Sequence, residues 1–209
     1  MPAASPRSRV RRAPKRASYD RPTIAEILDA ALLCHLGFAE ADGQPYVIPT
    51  LHARIGDSVY VHGSTASRLV RVLSAGAPAC LTVTLVDGLV LAKSAFHHSA
   101  NYRSVVVLGR FTLVTGEAER RAALDVFVEH LIPGRTADAR APNPRELKAT
   151  QILRMPLDEA SAKVRTGGPI DDEEDEALPV WTGVIPLTVT PGAPVGAPAP
   201  PEYVRSWRR

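Results

Sequence analysis

The stretch HLGFAEADGQPYVIPTLHARIGDSVYVH (residues 35–62) decides the fold class. A run from His35 to Ala41 meets Asp42-Gly43, a dipeptide suited to a tight turn, and a second run covers Tyr46–Ile55. Gly56-Asp57 turns the chain again into Ser58–His62, where Val59 and Val61 alternate with Tyr60 and His62. Three short strands within 28 residues predict an antiparallel meander.

Upstream, Thr23-Ile24-Ala25-Glu26 has the capping-box pattern with Thr23 as N-cap, and Ile24, Ile27, Leu28, Ala31 and Leu32 recur at helical spacing. Downstream, Gly63-Ser64-Thr65 leads into a helix over Ala66–Ala75, with Leu69, Val70 and Leu73 on its apolar face. Ala79–Val86 is a dense β-type run, Asp87-Gly88 reads as another turn, and Leu89–Ala92 follows it. A polar stretch, His97–Arg103, interrupts before Ser104–Thr115, the longest strand candidate. Glu117–Leu131 reads as a helix with acids in its first turn, and Asn143-Pro144-Arg145-Glu146 as the start of a short one. Ile152–Val164 is a further strand candidate, confined to an edge or bulge by Pro156. Asp171–Glu176 is a solvated acidic loop, and Trp181–Val189 a last strand.

Six or more strands joined mostly by hairpins, with few helices, imply a mainly β protein: an antiparallel barrel with helical additions. The regular strand–helix alternation of a parallel sheet is missing. One domain over residues 21–190 is expected, between a disordered basic tail (1–20) and a Pro-rich C-terminal tail (191–209).

The chain's net charge is +3, but it is unevenly placed. Residues 1–21 carry Arg7, Arg9, Arg11, Arg12, Lys15, Arg16 and Arg21 against Asp20, a net of +6. Residues 202–209 add +2, which leaves −5 on the body. A basic nucleic-acid-binding domain is therefore not expected. No apolar run reaches the 18 or so residues of a membrane span, and no apolar core of a secretory signal opens the chain, so a cytoplasmic protein is expected. Cys34 and Cys80 stand alone among apolar residues and read as two buried reduced thiols; no metal-ligand spacing is present.

Two polar clusters stand out. His62-Gly63-Ser64-Thr65-Ala66-Ser67-Arg68 lies at a strand-to-helix junction, where hydroxyls, free N–H groups and a guanidinium could hold a phosphate. The bland alternative is an ordinary capped helix start. Ser94–Ser104 sets His97, His98, Asn101, Tyr102 and Arg103 between two apolar strands, where they must be solvated or satisfied by a ligand. Adjacent histidines point in different directions and no acid lies beside them, which argues against a metal. The G-x-S-x-G elbow, the dinucleotide fingerprint and the P-loop are all absent.

The stretch Thr84–Val107, with Val59–Ser64 and Trp181–Pro186 in the same order, closely resembles the pyridoxamine 5′-phosphate oxidase-like flavin-nucleotide-binding proteins, a group related to nitroimidazole-resistance reductases. The resemblance implies an FMN-binding split β-barrel, a homodimer with FMN at the subunit interface. It implies that Pro49 and Thr50 touch the flavin ring, that His62 and Ser64 lie near it, and that Ser67 and Arg68 clamp the phosphate. Asn101, Tyr102, Arg103 and Ser104 would complete the pocket, and Trp181 would cover the ring or close the substrate cavity. Related split barrels bind deazaflavin or haem in place of FMN. The C-terminal substrate clamp of genuine pyridoxamine-phosphate oxidases is not recognisable here, which argues against vitamin B6 oxidation.

The function expected is an FMN-dependent oxidoreductase acting on a small molecule, a nitro- or quinone-like acceptor, with His62 as proton donor. The alternative is a non-catalytic flavin-binding module for storage or sensing. Neither nucleic acid nor membrane is an expected partner.

Overall fold

The computed structural model describes residues 2–208. In chain order the strands are β1 (Ala17–Ser18), β2 (Leu33–Ala39), β3 (Pro45–Ile55), β4 (Ser58–Ser64), β5 (Pro78–Leu91), β6 (Ser99–Arg110), β7 (Thr112–Leu113), β8 (Thr150–Pro156), β9 (Glu159–Arg165) and β10 (Gly183–Pro186). The helices are α1 (Arg21–Ala30), α2 (Arg68–Ser74), α3 (Glu117–Leu131), α4 (Pro144–Ala149) and α5 (Glu202–Arg205). Every pairing is antiparallel, in the order β1-β9-β6-β5-β2-β3-β4-β8-β7, with β10 added to β5. This is the expected antiparallel split barrel.

The expected meander is β2–β3–β4. Its long middle strand pairs with β2 over its first seven residues and with β4 over its last four, so β3 carries the sheet around the corner. Closure brings β6 against β8, where a Cβ on Gly109 would meet Met155 Sδ at 2.9 Å. Glycine is needed there for close approach. The barrel interior is filled by Leu36, Val59, Val61, Leu81, Val83, Val105, Val107 and Met155, all fully buried, and α1 caps it with Ile24, Ile27 and Leu28. A second, smaller core lies on the other face of β3, β4 and β8, where α3 places Ala123 and Phe127 over Ala53, Tyr60 and Ile152. Period-two alternation along β4 thus sends Val59 and Val61 into the barrel and Tyr60 under α3.

Several local expectations are corrected. The N-cap of α1 is Asp20, not Thr23: Asp20 Oδ2 accepts from Thr23 N and Thr23 Oγ1, both at 3.0 Å. Pro22 suits the first turn, so the helix starts earlier. Asp87-Gly88 is a bulge inside one long strand, not a turn: the β5–β6 register shifts between Val86 and Gly88. The polar stretch expected to interrupt the sheet is the first part of β6, so Asn101–Ser104 are strand residues. Ile152–Val164 is two strands, β8 and β9, broken after Pro156, where Leu157 N donates to Asp57 O. Only the middle of Trp181–Val189 pairs, as β10. Cys34 is buried, with burial pushing its thiol up to about 12, whereas Cys80 is only half-buried.

The basic N-terminal segment, expected as a free tail, has contacts of its own: β1 pairs with β9, and Arg7 pairs with Glu159. The C-terminal segment ends in α5, whose Tyr203 Oη donates to Asp138 Oδ2 (2.7 Å) and accepts from Arg135 Nη1 (3.0 Å). No helix among the described residues is long and apolar enough to cross a membrane.

Candidate functional site

His62 sits near the end of β4, opposite Ile152 of β8. Alternation puts it on the Tyr60 face, under α3, where its ring meets that of Phe127 edge-on with centroids 4.5 Å apart. The two line a cavity of about 450 Å³. Leu51, Leu124, Val128 and Leu131 form its apolar wall, and Asp125 with the loop residues Thr136, Ala139, Arg140, Ala141 and Pro142 completes the lining. That volume lies within the range of small-molecule and cofactor pockets.

The loop is held by specific bonds. Gly134, in the left-handed conformation (φ 87°), turns the chain after α3. The Glu129 carboxylate then accepts from Gly134 N (2.6 Å), Thr136 N (2.8 Å) and Thr136 Oγ1. Arg140 forks onto Glu146, which also accepts from Asn143 N, and Asn143 Oδ1 caps α4 through Glu146 N. The Arg140 hydrogen bond, with that of Asn143 N, holds the Glu146 carboxyl down to about 2.

Neither ring nitrogen of His62 has a hydrogen-bond partner among the described residues; Nδ1 is buried, which leaves Nε2 as the nitrogen open to a ligand. Burial pushes His62 below the usual imidazole value, so the ring is neutral at pH 7. A neutral imidazole in an apolar cavity is a metal ligand or a hydrogen-bond acceptor more readily than an acid.

The Ser64–Arg68 turn looks inward on itself. Ser64 Oγ accepts from Ala66 N, and Ser67 Oγ caps α2 by accepting from Val70 N. Arg68 lies over the Tyr46 ring, 4.3 Å from its centroid, and 3.4 Å from Glu40 Oε1. The donors expected to clamp a phosphate are thus engaged locally, as in the ordinary capped start. Pro49 and Thr50 lie in β3, paired with His35 and Cys34.

The third group is on β6. Arg103 makes a fork to Asp87 (3.0 and 2.8 Å), with its charge matched by that carboxylate. Ser104 Oγ donates to Lys163 O, and Tyr102 lies opposite Val86 and Arg165. Asn101 is buried; its Nδ2 donates to Gly167 O (3.1 Å), and its Oδ1 accepts from Arg165 Nη1 (2.5 Å). Trp181 is 64% exposed, and its ring lies against Gly183, where a Cβ would meet it at 2.7 Å. His97 pairs with Asp172 and His98 Nδ1 with Ser94 O. No group of three or more metal-ligating side chains occurs among the described residues.

No hydrogen bond or ring contact joins the three groups of expected site residues among the described residues. Sequence reading also missed Phe127, Arg140 and Arg165. Phe127 and Arg140 lie 65 and 78 positions beyond His62, so only the fold brings them to it.

Fold and site define a split-barrel protein with a largely apolar cofactor-sized cavity under α3 and a polar cluster on the barrel strands. The chain belongs to the pyridoxamine 5′-phosphate oxidase family, whose model matches residues 20–164. It is similar over its whole length to the flavocytochrome Anf3 of Azotobacter vinelandii, with 44% identity, 99% of that chain covered and a TM-score of 0.90. It is similar over 91% of its length to an FAD- and heme-binding protein of Mycobacterium smegmatis, with 39% identity, 96% of that chain covered and a TM-score of 0.86. A putative 5-nitroimidazole antibiotic resistance protein of Bacteroides thetaiotaomicron shares the fold, with 23% identity over 71% of this chain and 86% of that one, and a TM-score of 0.60. A search of curated proteins returned no match.

Proposed function

We propose that this chain is a redox protein that binds a flavin and a haem, with His62 as a ligand of the haem iron. The observation that carries this reading is the half-buried, neutral imidazole with no hydrogen-bond partner, lining an apolar cavity of about 450 Å³. One imidazole in an apolar cavity is what haem iron requires of a protein, and a three-ligand cluster is not needed. Arg140 and Asp125 are the charged groups on the cavity lining, and Arg140 is paired with Glu146. Supporting the reading, two relatives that match nearly the full chain are described as a flavocytochrome and as an FAD- and heme-binding protein.

The flavin was expected to be FMN; we propose FAD, as in the mycobacterial relative's description. When bound, the flavin supplies two-electron uptake and one-electron delivery, and the haem a one-electron centre. The chain's own contribution is to hold and orient: His62 presents a nitrogen without a proton to lose, Phe127 fixes its ring, and the loop over residues 136–142 walls one side of the cavity. In this reading His62 is a ligand in place of the expected proton donor. The reductase role toward a nitro- or quinone-like acceptor, and the homodimer, are carried forward as parts of the proposal.

Absorbance of protein made in haem-replete cells tests it. The wild type is expected to show a Soret band and flavin absorbance, and His62→Ala to lose the first and keep the second. Wild-type protein that binds no added haemin would sink the haem assignment. Released flavin, identified by mass, decides FAD against FMN. Light scattering is expected to give twice the chain mass. Reoxidation of photoreduced protein by acceptors no faster than that of free flavin would reduce the reading to flavin storage.

A further inference from the structure

We propose that Arg165, at the end of β9, is the positive pole of an oxyanion site that takes a phosphate group. Its side chain is buried, at 6% exposure, inside a single chain. Of the five N–H donors of a guanidinium, three have acceptors, and all three acceptors are neutral. Nη1 reaches Asn101 Oδ1 (2.5 Å) and Gly167 O (3.4 Å), and Nη2 reaches Gly168 O (3.1 Å). Nε is buried without a partner. No carboxylate among the described residues lies within ion-pair distance of Arg165, and Asp87, beside the residue opposite Asn101, is held by both arms of Arg103.

A buried cation with no counter-charge is strongly unfavourable, and proteins pair such groups. Nε–H and one N–H of Nη2 are left over, donors of the kind a guanidinium offers to an oxyanion. The adjoining loop consists of two exposed glycines, and Gly167 adopts a left-handed φ of 98° that keeps side chains out. The buried position favours a small anionic group as the counter-ion. That chemistry has two sources, the phosphate of a flavin nucleotide and free inorganic phosphate. The inference does not depend on the haem assignment, because its probe is inorganic phosphate.

The test uses the full chain stripped of flavin. Inorganic phosphate is expected to raise Tm saturably, and Arg165→Gln to weaken phosphate binding roughly ten- to hundredfold, the scale of a charge-assisted pair. Should Arg165→Gln not fold, Asn101→Asp decides. It sets a carboxylate on Nη1, supplies the missing counter-charge at the cost of the Nδ2–Gly167 O bond, and is expected to weaken phosphate binding at least tenfold. Phosphate that competes with FAD but not with riboflavin assigns the site to the nucleotide. Phosphate that binds together with FAD assigns it to the free ion. A wild type whose Tm ignores phosphate overturns the proposal, as does phosphate affinity unchanged in both variants. Either result leaves the Soret test of His62 untouched, so the two readings fail separately.

Discussion

His62 and Arg165 each hold a buried nitrogen without a partner, yet their surroundings ask for opposite ligands. Around His62 the lining is largely apolar, with Leu51, Leu124, Phe127, Val128 and Leu131 beside Asp125 and Arg140, and burial alone acts on the ring, keeping it neutral. Around Arg165 the neighbours are an amide and two carbonyls, and the guanidinium cannot shed its proton. An imidazole answers desolvation by titrating, so its cavity remains open to an apolar group with a metal at its centre. A guanidinium cannot, and the demand passes to an anion. The same defect, one orphan nitrogen, thus has two different meanings.

The largest expected effect breaks the comparison cleanly. His62→Ala abolishes haem binding with phosphate affinity unchanged, and Arg165→Gln does the reverse; difference spectra and phosphate titrations of the two proteins check it. If both variants lost both ligands, the two regions would be one site. Next in size is Phe127→Ala. Phe127 is 4% exposed and belongs to the α3 core, so its loss is expected to cost about 3–5 kcal/mol in denaturant unfolding. It also removes the ring that fixes His62, so haem retention falls by more than the stability change alone explains.

Asp87→Asn sharpens the other side. The Arg103–Asp87 pair is about one-third exposed, so its loss is expected to change stability by no more than about 1 kcal/mol. Freed of its carboxylate, Arg103 becomes a second uncompensated cation near the start of β6. Phosphate affinity is then expected to rise, and a fall on titration would show that Asp87 orders the site rather than masking it.

The fold was largely legible because its signals are local. Glu117–Leu131 is α3 residue for residue, and the Asn143–Glu146 capping box forms as its spacing requires. The errors arose where two local readings compete. Asp20 and Thr23 are both capping residues, and Pro22 decides between them; Asp87-Gly88 suits a hairpin turn and a bulge equally, and only cross-strand pairing with β6 selects the bulge. The site was legible in part. His62 stood out through its place at the strand end, but its environment comes from α3, across the chain. Arg165 carried no signal, since one arginine at a strand end is ordinary until packing buries it. Arg68 and Arg103 drew attention by motif, whereas their acids, Glu40 and Asp87, are neighbours only after folding or across a bulge.

The smallest effect concerns the segment between β9 and β10, which links the Arg165 region to Trp181. Lys93 N donates to Asp171 Oδ1 (2.7 Å), Lys93 Nζ donates to Leu178 O (2.7 Å), and His97 Nε2 lies 3.0 Å from Asp172 Oδ2. The hydrogen bond to Asp172, helped by the charges of Asp171 and Asp175, raises His97 above the usual imidazole value. A group raised in the folded state adds stability that is complete below its unfolded pKa and is lost as pH rises through its folded one. Amide-exchange protection of residues 171–178, corrected for intrinsic rate, is therefore expected to decline over that window, and His97→Gln to flatten the decline. The change is small because Asp172 is exposed and the pair is screened by water. The Lys93 bonds involve neither His97 nor Asp172, so they hold the segment when that pair loosens. Protection that ignored pH in the wild type would show that Lys93 alone holds it, and that the histidines of the β5–β6 connection carry no structural charge.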